Sequence, residues 1–189
     1  MKKVVLMLAA VLMSMSAMAQ VHFGAKVGFD LTNFWGEHVK HGMAPNYQIG
    51  GLMEYQFNDR VAIAPEVVFA AQGGKFDNTT YNLNYINVPV MLKFYVAPKF
   101  SIDLGPQIGF NVYSKSTTEA NGVKVTVDLK DFTNTVDFGV GIGGTYSLTE
   151  NAFVQARYTL GVTKVVKDEY SMLDEAKNGN IQIAFGWKF

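Results

Sequence analysis

Apolar and polar side chains alternate along most of the chain after residue 20. Successive side chains of an extended strand point to opposite faces, so this alternation gives one apolar and one polar face. No segment in this region repeats its apolar positions as a long amphipathic helix does. The strand pattern occurs near residues 21–33, 46–57, 61–72, 83–97, 100–113, 134–147, 152–164 and 179–189. It predicts an all-β chain of eight strands.

The connections between these stretches alternate in length. Short turns fall at residues 58–60, 98–99 and 148–151, and long loops are expected near 34–45, 73–82, 114–133 and 165–178. Short periplasmic turns and long external loops are typical of barrels in bacterial outer membranes. The segment 123–129 also alternates, and it either extends a hairpin above the membrane or raises the count to ten strands. We predict an eight-stranded, antiparallel, up-and-down transmembrane β-barrel.

Apart from Lys164 at the end of the seventh stretch, charged residues occur on only one parity of each predicted strand. The uncharged parity reads Phe23, Ala25, Val27, Phe29 and Leu31 in the first stretch and Ile181, Ile183, Phe185, Trp187 and Phe189 in the last. A Lys or Arg facing lipid at mid-bilayer costs roughly 2–4 kcal/mol, which explains such a bias. A soluble barrel that carries an apolar ligand would have the opposite arrangement, with its charges on the outer face.

The opposite parity carries ionisable side chains of both signs. They are Lys26, Asp30, Glu54, Glu66, Lys93, Asp103, Asp137, Arg157 and Lys188. The interior of an eight-stranded barrel is only about wide enough for side chains to fill, so buried charges of opposite sign should pair there. We predict a salt-bridged, closed lumen, which argues against an open diffusion pore.

The two ends of the chain carry targeting signals. Lys2 and Lys3 precede an apolar run and the small-residue tripeptide 17–19, which predicts a cleaved signal peptide over residues 1–19 and a barrel domain over 20–189. At the other end, Trp187 and Phe189 are predicted to form the signal that the barrel-assembly machinery recognises. The expected location is the cell outer membrane of a Gram-negative bacterium.

Composition removes several classes of function. The chain has no Cys, so it forms no disulfide, no thiolate metal site and no lipidated N-terminal cysteine. It carries 16 Lys and Arg against 16 Asp and Glu, and this balance creates no long-range field for nucleic acid.

Three constellations could carry chemistry, but each has a simpler explanation. His38 and His41 in the first long loop could meet on one metal, yet no further ligand is required by the spacing. A hydrolase would combine one of these His residues with Ser114, Ser116, Asp168 or Ser171, but the chain has no strained nucleophile turn. The lumen carboxylates alternate with cations, so ion pairing explains them better than acid and base catalysis. We predict no catalytic, metal or cofactor site.

Aromatic residues of the predicted external loops leave two interpretations open. They could form a contact surface for a partner, or they could anchor the barrel at the level of the lipid headgroups. The residues are Phe34, Trp35, Phe76, Tyr81, Phe132 and Tyr170.

Several short motifs follow one another along the whole chain after residue 20. They are Gly24-Ala25-Lys26-Val27-Gly28, the run 51–60 with Pro65-Glu66, the run 85–93, Gly105-Pro106-Gln107-Ile108-Gly109, Arg157-Tyr158-Thr159-Leu160-Gly161 and Gly186-Trp187-Lys188-Phe189. In their order and spacing the chain resembles the PorT-like outer-membrane β-barrel family. The resemblance implies the fold and the location, and Pro65, Pro89 and Pro106 within its strands predict bulges or irregularities.

Resemblance to the PorT-like member for which the family is named implies a role in assembling a protein-secretion machine. No residue motif specific to that role is present. We therefore predict a structural, scaffold or interaction protein of the outer membrane. The alternatives are a subunit of a secretion machine and a minor porin for small solutes. Its expected partners are membrane lipid, the barrel-assembly machinery and other envelope or secretion proteins.

Overall fold

The computed structural model describes residues 20–35, 44–76, 79–120, 123–130, 132–165 and 177–189. Nine strands lie in these ranges: β1 (Val21–Trp35), β2 (Ala44–Asn58), β3 (Val61–Phe76), β4 (Thr79–Ala97), β5 (Phe100–Ala120), β6 (Val123–Asp128), β7 (Val136–Ser147), β8 (Ala152–Lys164) and β9 (Lys177–Lys188). Within the same ranges, no helix is long and apolar enough to cross a membrane.

Eight of the strands close into a ring through antiparallel pairs. Neighbouring strands pair in the order β1, β2, β3, β4, β5, β7, β8 and β9, and β9 pairs back to β1. Val27, for example, lies between Ile49 of β2 and Phe185 of β9. In the described part of the chain, β6 pairs with β5 alone. The predicted eight-stranded barrel is confirmed, and residues 123–128 extend a hairpin instead of adding a wall strand.

The strands project unequally from the ring. A tilted strand needs about 9–11 residues to cross a bilayer, whereas β4 has 19 residues and β5 has 21. The ladder between β3 and β4 continues to the pair Phe76–Thr79, so the long loop predicted at 73–82 is wrong. The loop predicted at 114–133 is likewise mostly strand. Both faces of a strand beyond the bilayer meet water, so apolar alternation is not required there, while main-chain pairing persists.

The two faces of the wall have the predicted character. Outward side chains are apolar and accessible, with Phe29 78% exposed and Ile183 62% exposed. Inward charged side chains are almost completely buried, as Lys26 at 1% and Arg157 at 3% illustrate. A soluble monomer rarely exposes a contiguous apolar band of this kind, whereas lipid covers it in a membrane.

The prolines produce the predicted irregularities, as interruptions of the ladders, but they do not produce bulges. At Pro65 the ladder with β2 skips two pairs and keeps the same register on either side, from Leu52–Glu66 to Tyr55–Ile63. The register shifts lie elsewhere, for instance in the β4–β5 pairing at Asn84/Tyr85. Proline removes a single N–H donor, so it deletes one ladder bond without inserting a residue.

Gly186 of β9 offers a test of the packing at the short-turn end of the barrel. It pairs with Phe153, which is 2% exposed, and a Cβ at residue 186 would overlap the phenyl ring. We expect Gly186→Ala to lower the free energy of unfolding by about 1–3 kcal/mol, and Phe153→Leu to recover part of the loss. Urea unfolding in phospholipid vesicles measures the effect. Gly51→Ala is the control, because the nearest atom to its added Cβ is 3.8 Å away. Equal unfolding midpoints for both variants would contradict this packing.

Candidate functional site

The lumen gathers the charged residues that the sequence placed on the inward parity. All lie on strands of the ring and point inward, and seven of them meet in ion pairs at or below 4.0 Å. Those seven are Lys26, Glu54, Glu66, Lys93, Asp103, Arg157 and Lys188. Six of them form two clusters, each built around one glutamate, and Asp103 lies between the clusters.

The Glu66 cluster, made of Glu66, Arg157, Lys26 and Gln155, crosses the middle of the barrel. Arg157 Nη2 donates to Glu66 Oε1 at 2.7 Å, and Nη1 donates to Oε2 at 3.0 Å. Lys26 Nζ donates to the same carboxylate at 2.6 Å and to Gln155 Oε1 at 2.9 Å. Glu66 is on β3 and Arg157 on β8, which are diametrically opposite in the ring. This bidentate pair therefore spans the whole lumen.

The Glu54 cluster, made of Glu54, Lys188, Lys93 and Tyr95, lies toward the short-turn end of the barrel. Lys188 Nζ donates to Glu54 Oε1 at 2.8 Å, and Lys93 Nζ lies 3.2 Å from Oε2. The Tyr95 hydroxyl donates to Oε1 at 2.6 Å. One carboxylate thus holds two cations that come from β4 and β9, and it draws three strands together across this end.

Asp103 connects the two clusters through polar side chains. The hydroxyls of Ser101 and Thr145 donate to its carboxylate at 2.7 Å and 2.5 Å. Gln155 Nε2, which belongs to the Glu66 cluster, reaches the same carboxylate at 3.5 Å, and Lys93 Nζ lies 4.0 Å from it. The middle and the lower lumen therefore form one continuous set of contacts.

Asp30 and Asp137 lie in the lumen but outside both clusters. Gln48 Nε2 donates to Asp30 at 2.7 Å, and Asp137 accepts from the Thr163 hydroxyl and from Asn178 Nδ2, the latter at 2.9 Å. Neither carboxylate has an ion-pair partner within the described ranges. Neutral amides and hydroxyls supply the donors instead.

Neutral polar residues line much of the inward surface, and sequence reasoning that tracked charges missed them. The sequence pattern could have identified them, because they lie on the same parity of each strand as the charged residues. The buried amides are Gln48, Gln72, Asn87, Gln107, Asn111, Gln155, Asn178, Asn180 and Gln182.

A small apolar cluster lies inside the barrel toward the long-loop end. Leu83, Tyr85 and Val165 pack together and are 2%, 1% and 6% exposed. Asn111 Nδ2 donates to the Tyr85 hydroxyl at 3.4 Å. This mouth cluster and the two glutamate clusters occupy three successive levels of the interior.

The residues considered for chemistry are not brought together within the described ranges. His38, His41, Asp168 and Ser171 lie outside those ranges. The Ser114 hydroxyl donates to Asn111 Oδ1 at 2.9 Å, so it is held by an amide and not by a base. No group of three His, Cys, Asp or Glu side chains in the described ranges is arranged to hold a metal ion.

The outer surface of β9 carries the residues of the predicted assembly signal. Trp187 is 47% exposed and Phe189 is 73% exposed, and both point away from the lumen. The Phe189 N–H donates to the Phe23 carbonyl at 2.7 Å, which fastens this segment to β1. Their recognition by the assembly machinery stays a prediction.

Five of the six aromatic residues of the predicted loops lie in the described ranges. Tyr81 lies on the projecting part of β4, and Phe132, 38% exposed, follows β6. Phe34, Trp35 and Phe76 are at the ends of described strands, and Tyr170 is outside the described ranges.

Comparisons with known proteins agree with this geometry. A family model described as "Outer membrane protein beta-barrel domain" matches residues 14–167. The fold is similar to Neisserial surface protein A, from Neisseria, at 16% identity and a TM-score of 0.54, covering 89% of this chain and 97% of that chain. It is similar to Ail, the attachment invasion locus protein of Yersinia pestis, at 15% identity and a TM-score of 0.55, covering 90% of this chain and 99% of that chain. No curated protein sequence matches the chain.

Proposed function

Because the chain belongs to the family of outer-membrane β-barrel domain proteins and lies in the lipid of the cell outer membrane, we propose that it acts as a closed membrane anchor. Its role is structural or interaction-mediating, and the strands that project from the ring form its working surface. The pair Glu66–Arg157, which spans the lumen, is the observation that carries this proposal.

The filled lumen disfavours transport. Side chains can fill the interior of an eight-stranded barrel, whereas aqueous channels need many more strands. The Glu66 cluster, the Glu54 cluster and the mouth cluster obstruct the interior in series, so a solute would have to displace all three. A minor porin is therefore the less favoured alternative.

The same contacts disfavour catalysis. Glu54 and Glu66 each hold two cations at or below 3.2 Å, which leaves neither carboxylate available as a general base. Asp103 is engaged by two hydroxyls. We assign no reaction to the lumen, and we propose that the protein is not an enzyme.

The projecting strands support an interaction role. About ten residues of β5 remain after a bilayer has been crossed, since the strand has 21 residues. Together with the ends of β3 and β4 and with β6, they build a hydrogen-bonded sheet at the long-loop end, which faces outward in barrels of this type. A rigid sheet holds its side chains in fixed positions, as a recognition surface requires.

We expect the purified protein to give no stepwise conductance in a planar lipid bilayer. The clusters in series leave no continuous water path, so currents should stay at the level of the bare bilayer. A shift in electrophoretic mobility on boiling shows that the sample is folded, and a sixteen-stranded porin in the same bilayer serves as the positive control. Steady, reproducible conductance steps would overturn the closed lumen and favour the minor porin.

A PorT-like subunit of a protein-secretion machine is the second candidate. The ordered motifs from Gly24 to Phe189 that resemble the PorT-like family favour it. Deleting the gene should then reduce the amount of exported cargo, and the barrel should co-purify with other envelope proteins. A structural barrel would instead leave export unchanged and weaken the envelope against detergent.

We also propose that residues 1–19 are removed during export and that the barrel-assembly machinery inserts residues 20–189 into the outer membrane of a Gram-negative bacterium. The positive residues and apolar run before the tripeptide 17–19 support this route. The intact mass of protein isolated from outer membranes should correspond to a chain that begins at Gln20. A mass that includes residues 1–19 would contradict the cleavage.

A further inference from the structure

Four consecutive strands of the ring each place one unpartnered side-chain oxygen on the inner wall. The atoms are Gln48 Oε1 on β2, Asp30 Oδ2 on β1, Asn180 Oδ1 on β9 and Thr159 Oγ1 on β8, and none has a hydrogen-bond partner in the described part of the chain. The four residues, which we call the oxygen cluster, are between 0% and 3% exposed. A buried polar atom without a partner is uncommon in proteins, and a bound ion or water is an ordinary reason for one.

The strand register makes the four side chains neighbours. Gln48 Nε2 donates to Asp30 Oδ1 at 2.7 Å, so the free oxygens of this pair belong to two side chains in contact. Asn180 lies directly opposite Thr159 in the β8–β9 ladder. It also lies opposite Thr32, two residues along β1 from Asp30. Residues opposite each other have Cβ atoms about 4.5–5.5 Å apart, and diagonal neighbours are about 7–8 Å apart. Because the wall is concave toward the lumen, the ends of these side chains converge.

The donors nearest to the oxygen cluster are engaged elsewhere. Lys26, four residues from Asp30 on β1, donates to two other members of the Glu66 cluster. Both terminal nitrogens of Arg157, two residues from Thr159 on β8, donate within the same cluster. The amide nitrogen of Gln48 is used by Asp30, so its amide cannot turn a donor toward the other oxygens without losing that bond.

Acceptors outnumber donors among the unpartnered atoms at this level of the lumen. Gln72 Oε1 adds a fifth oxygen, whereas the unpartnered nitrogens in the described ranges are Asn87 Nδ2 and Arg157 Nε. Two nitrogens cannot satisfy five oxygens even if each were redirected. The imbalance therefore points to a positively charged ligand.

We propose that the oxygen cluster binds a monovalent alkali-metal cation, Na⁺ or K⁺. Carboxylate, amide and hydroxyl oxygens are hard ligands, which suit cations of this kind better than they suit transition metals. Asp30 supplies one negative charge, and this charge matches a monovalent ion. The adjoining Glu66 cluster contains two cations and one carboxylate, so its excess positive charge opposes a divalent ion such as Ca²⁺.

The position of the oxygen cluster gives the ion a structural role. Its four strands include β1 and β9, the first and last of the chain, whose pairing closes the ring. A cation held by β8, β9, β1 and β2 would join both sides of that seam, on the long-loop side of the Glu66 cluster. The inference concerns the stability of the closed ring, and it does not depend on the proposed interaction role.

Replacement of choline by Na⁺ or K⁺ at constant total salt tests the proposal. Choline is too large for a site among buried side chains. Urea unfolding of the natural protein in phosphatidylcholine vesicles should therefore shift to higher urea when an alkali-metal ion replaces it. At about ten times the dissociation constant of the ion, the equilibrium constant of unfolding should fall roughly tenfold, because the ion binds only the folded barrel.

Asp30→Asn should abolish this response to the ion, because it removes the charge that the cation neutralises. In choline chloride the variant should unfold close to the natural protein. Asp137→Asn is the matched control, since it makes the same change in the same lumen. Both oxygens of Asp137 already accept hydrogen bonds, from Thr163 and from Asn178. This control should keep the full response to Na⁺ and K⁺.

Thr159→Val separates ion binding from a purely structural role of the hydroxyl. Its Oγ1 has no hydrogen-bond partner in the described ranges, so the variant in choline chloride should be as stable as the natural protein or more stable. The ion concentration that gives half of the response should nevertheless rise roughly threefold to tenfold, the equivalent of one neutral hydrogen bond. Heat-dependent mobility on a gel verifies that each barrel is folded.

Sodium NMR gives a second measurement that needs no unfolding. The natural protein in detergent should broaden the sodium signal, and Thr159→Val should broaden it less at the same Na⁺ concentration. Equal urea midpoints of the natural protein in choline, Na⁺ and K⁺ would overturn the proposal and indicate water at these oxygens. An equal ion response of the Asp30 and Asp137 variants would also overturn it, as would a larger Asp30-dependent response to Ca²⁺. None of these outcomes alters the conductance, so the closed lumen is tested separately.

Discussion

Replacing Glu66 with Gln is expected to lower the free energy of unfolding by about 3–5 kcal/mol, the range found when one partner of a buried ion pair is removed. The carboxylate of Glu66 is the counter-charge for both Arg157 and Lys26, whose side chains are 2% and 0% exposed. The variant would leave two buried cations without their ion-pair partner. Urea unfolding in phospholipid vesicles, followed by tryptophan fluorescence and by mobility on gels, measures the loss.

Asp30→Asn is the matched control for that variant. It is the same change from a carboxylate to an amide in the same lumen, but Asp30 accepts from Gln48 and has no ion-pair partner in the described part of the chain. We expect a loss of about 1 kcal/mol or less, as for a single neutral hydrogen bond. If Glu66→Gln unfolds at the same urea concentration as Asp30→Asn, the pair across the lumen contributes no more than an ordinary hydrogen bond.

The inward parity could be predicted from the sequence, but the partners of each charge could not. Alternation along β3 places Glu66 in the lumen because the apolar residues of the other parity must face lipid. Its contact with Arg157 joins residues 91 positions apart and depends on ring order and on the stagger of the strands. Neither quantity is encoded in the period-two pattern. For the same reason, the pattern could not separate Asp30 and Asp137 from the ion-paired residues.

The projecting sheet shows a second limit of the pattern. The strand segments within the bilayer were predicted closely because lipid and lumen impose opposite demands on the two faces. Water covers both faces beyond the bilayer, and a segment such as 73–82 then reads as a loop although its main chain is paired. Residues 123–129 retained an alternation of valines, and this was the signal that indicated β6.

The second large loss of stability is expected for Ile183→Lys, which places a charge on the lipid-facing surface of the barrel. Ile183 lies mid-strand on β9 between Phe29 and Ala156, and it is 62% exposed on the outward face. A lysine there would put a charge into hydrocarbon, at a cost of roughly 2–4 kcal/mol near the bilayer midplane. We expect a lower urea midpoint in vesicles and a smaller yield of heat-modifiable protein in outer membranes.

Val127→Lys separates the effect of lipid from that of exposure alone. Val127 is 48% exposed and β-branched, as Ile183 is, but it lies on β6 beyond the ring. A lysine at this position meets water, so the stability of the barrel should stay within about 0.5 kcal/mol of the natural protein. Equal midpoints for the two lysine variants would mean that Ile183 also meets water. The exposed face of the barrel would then be solvated, and the assignment of its inner and outer surfaces to lumen and lipid would fail.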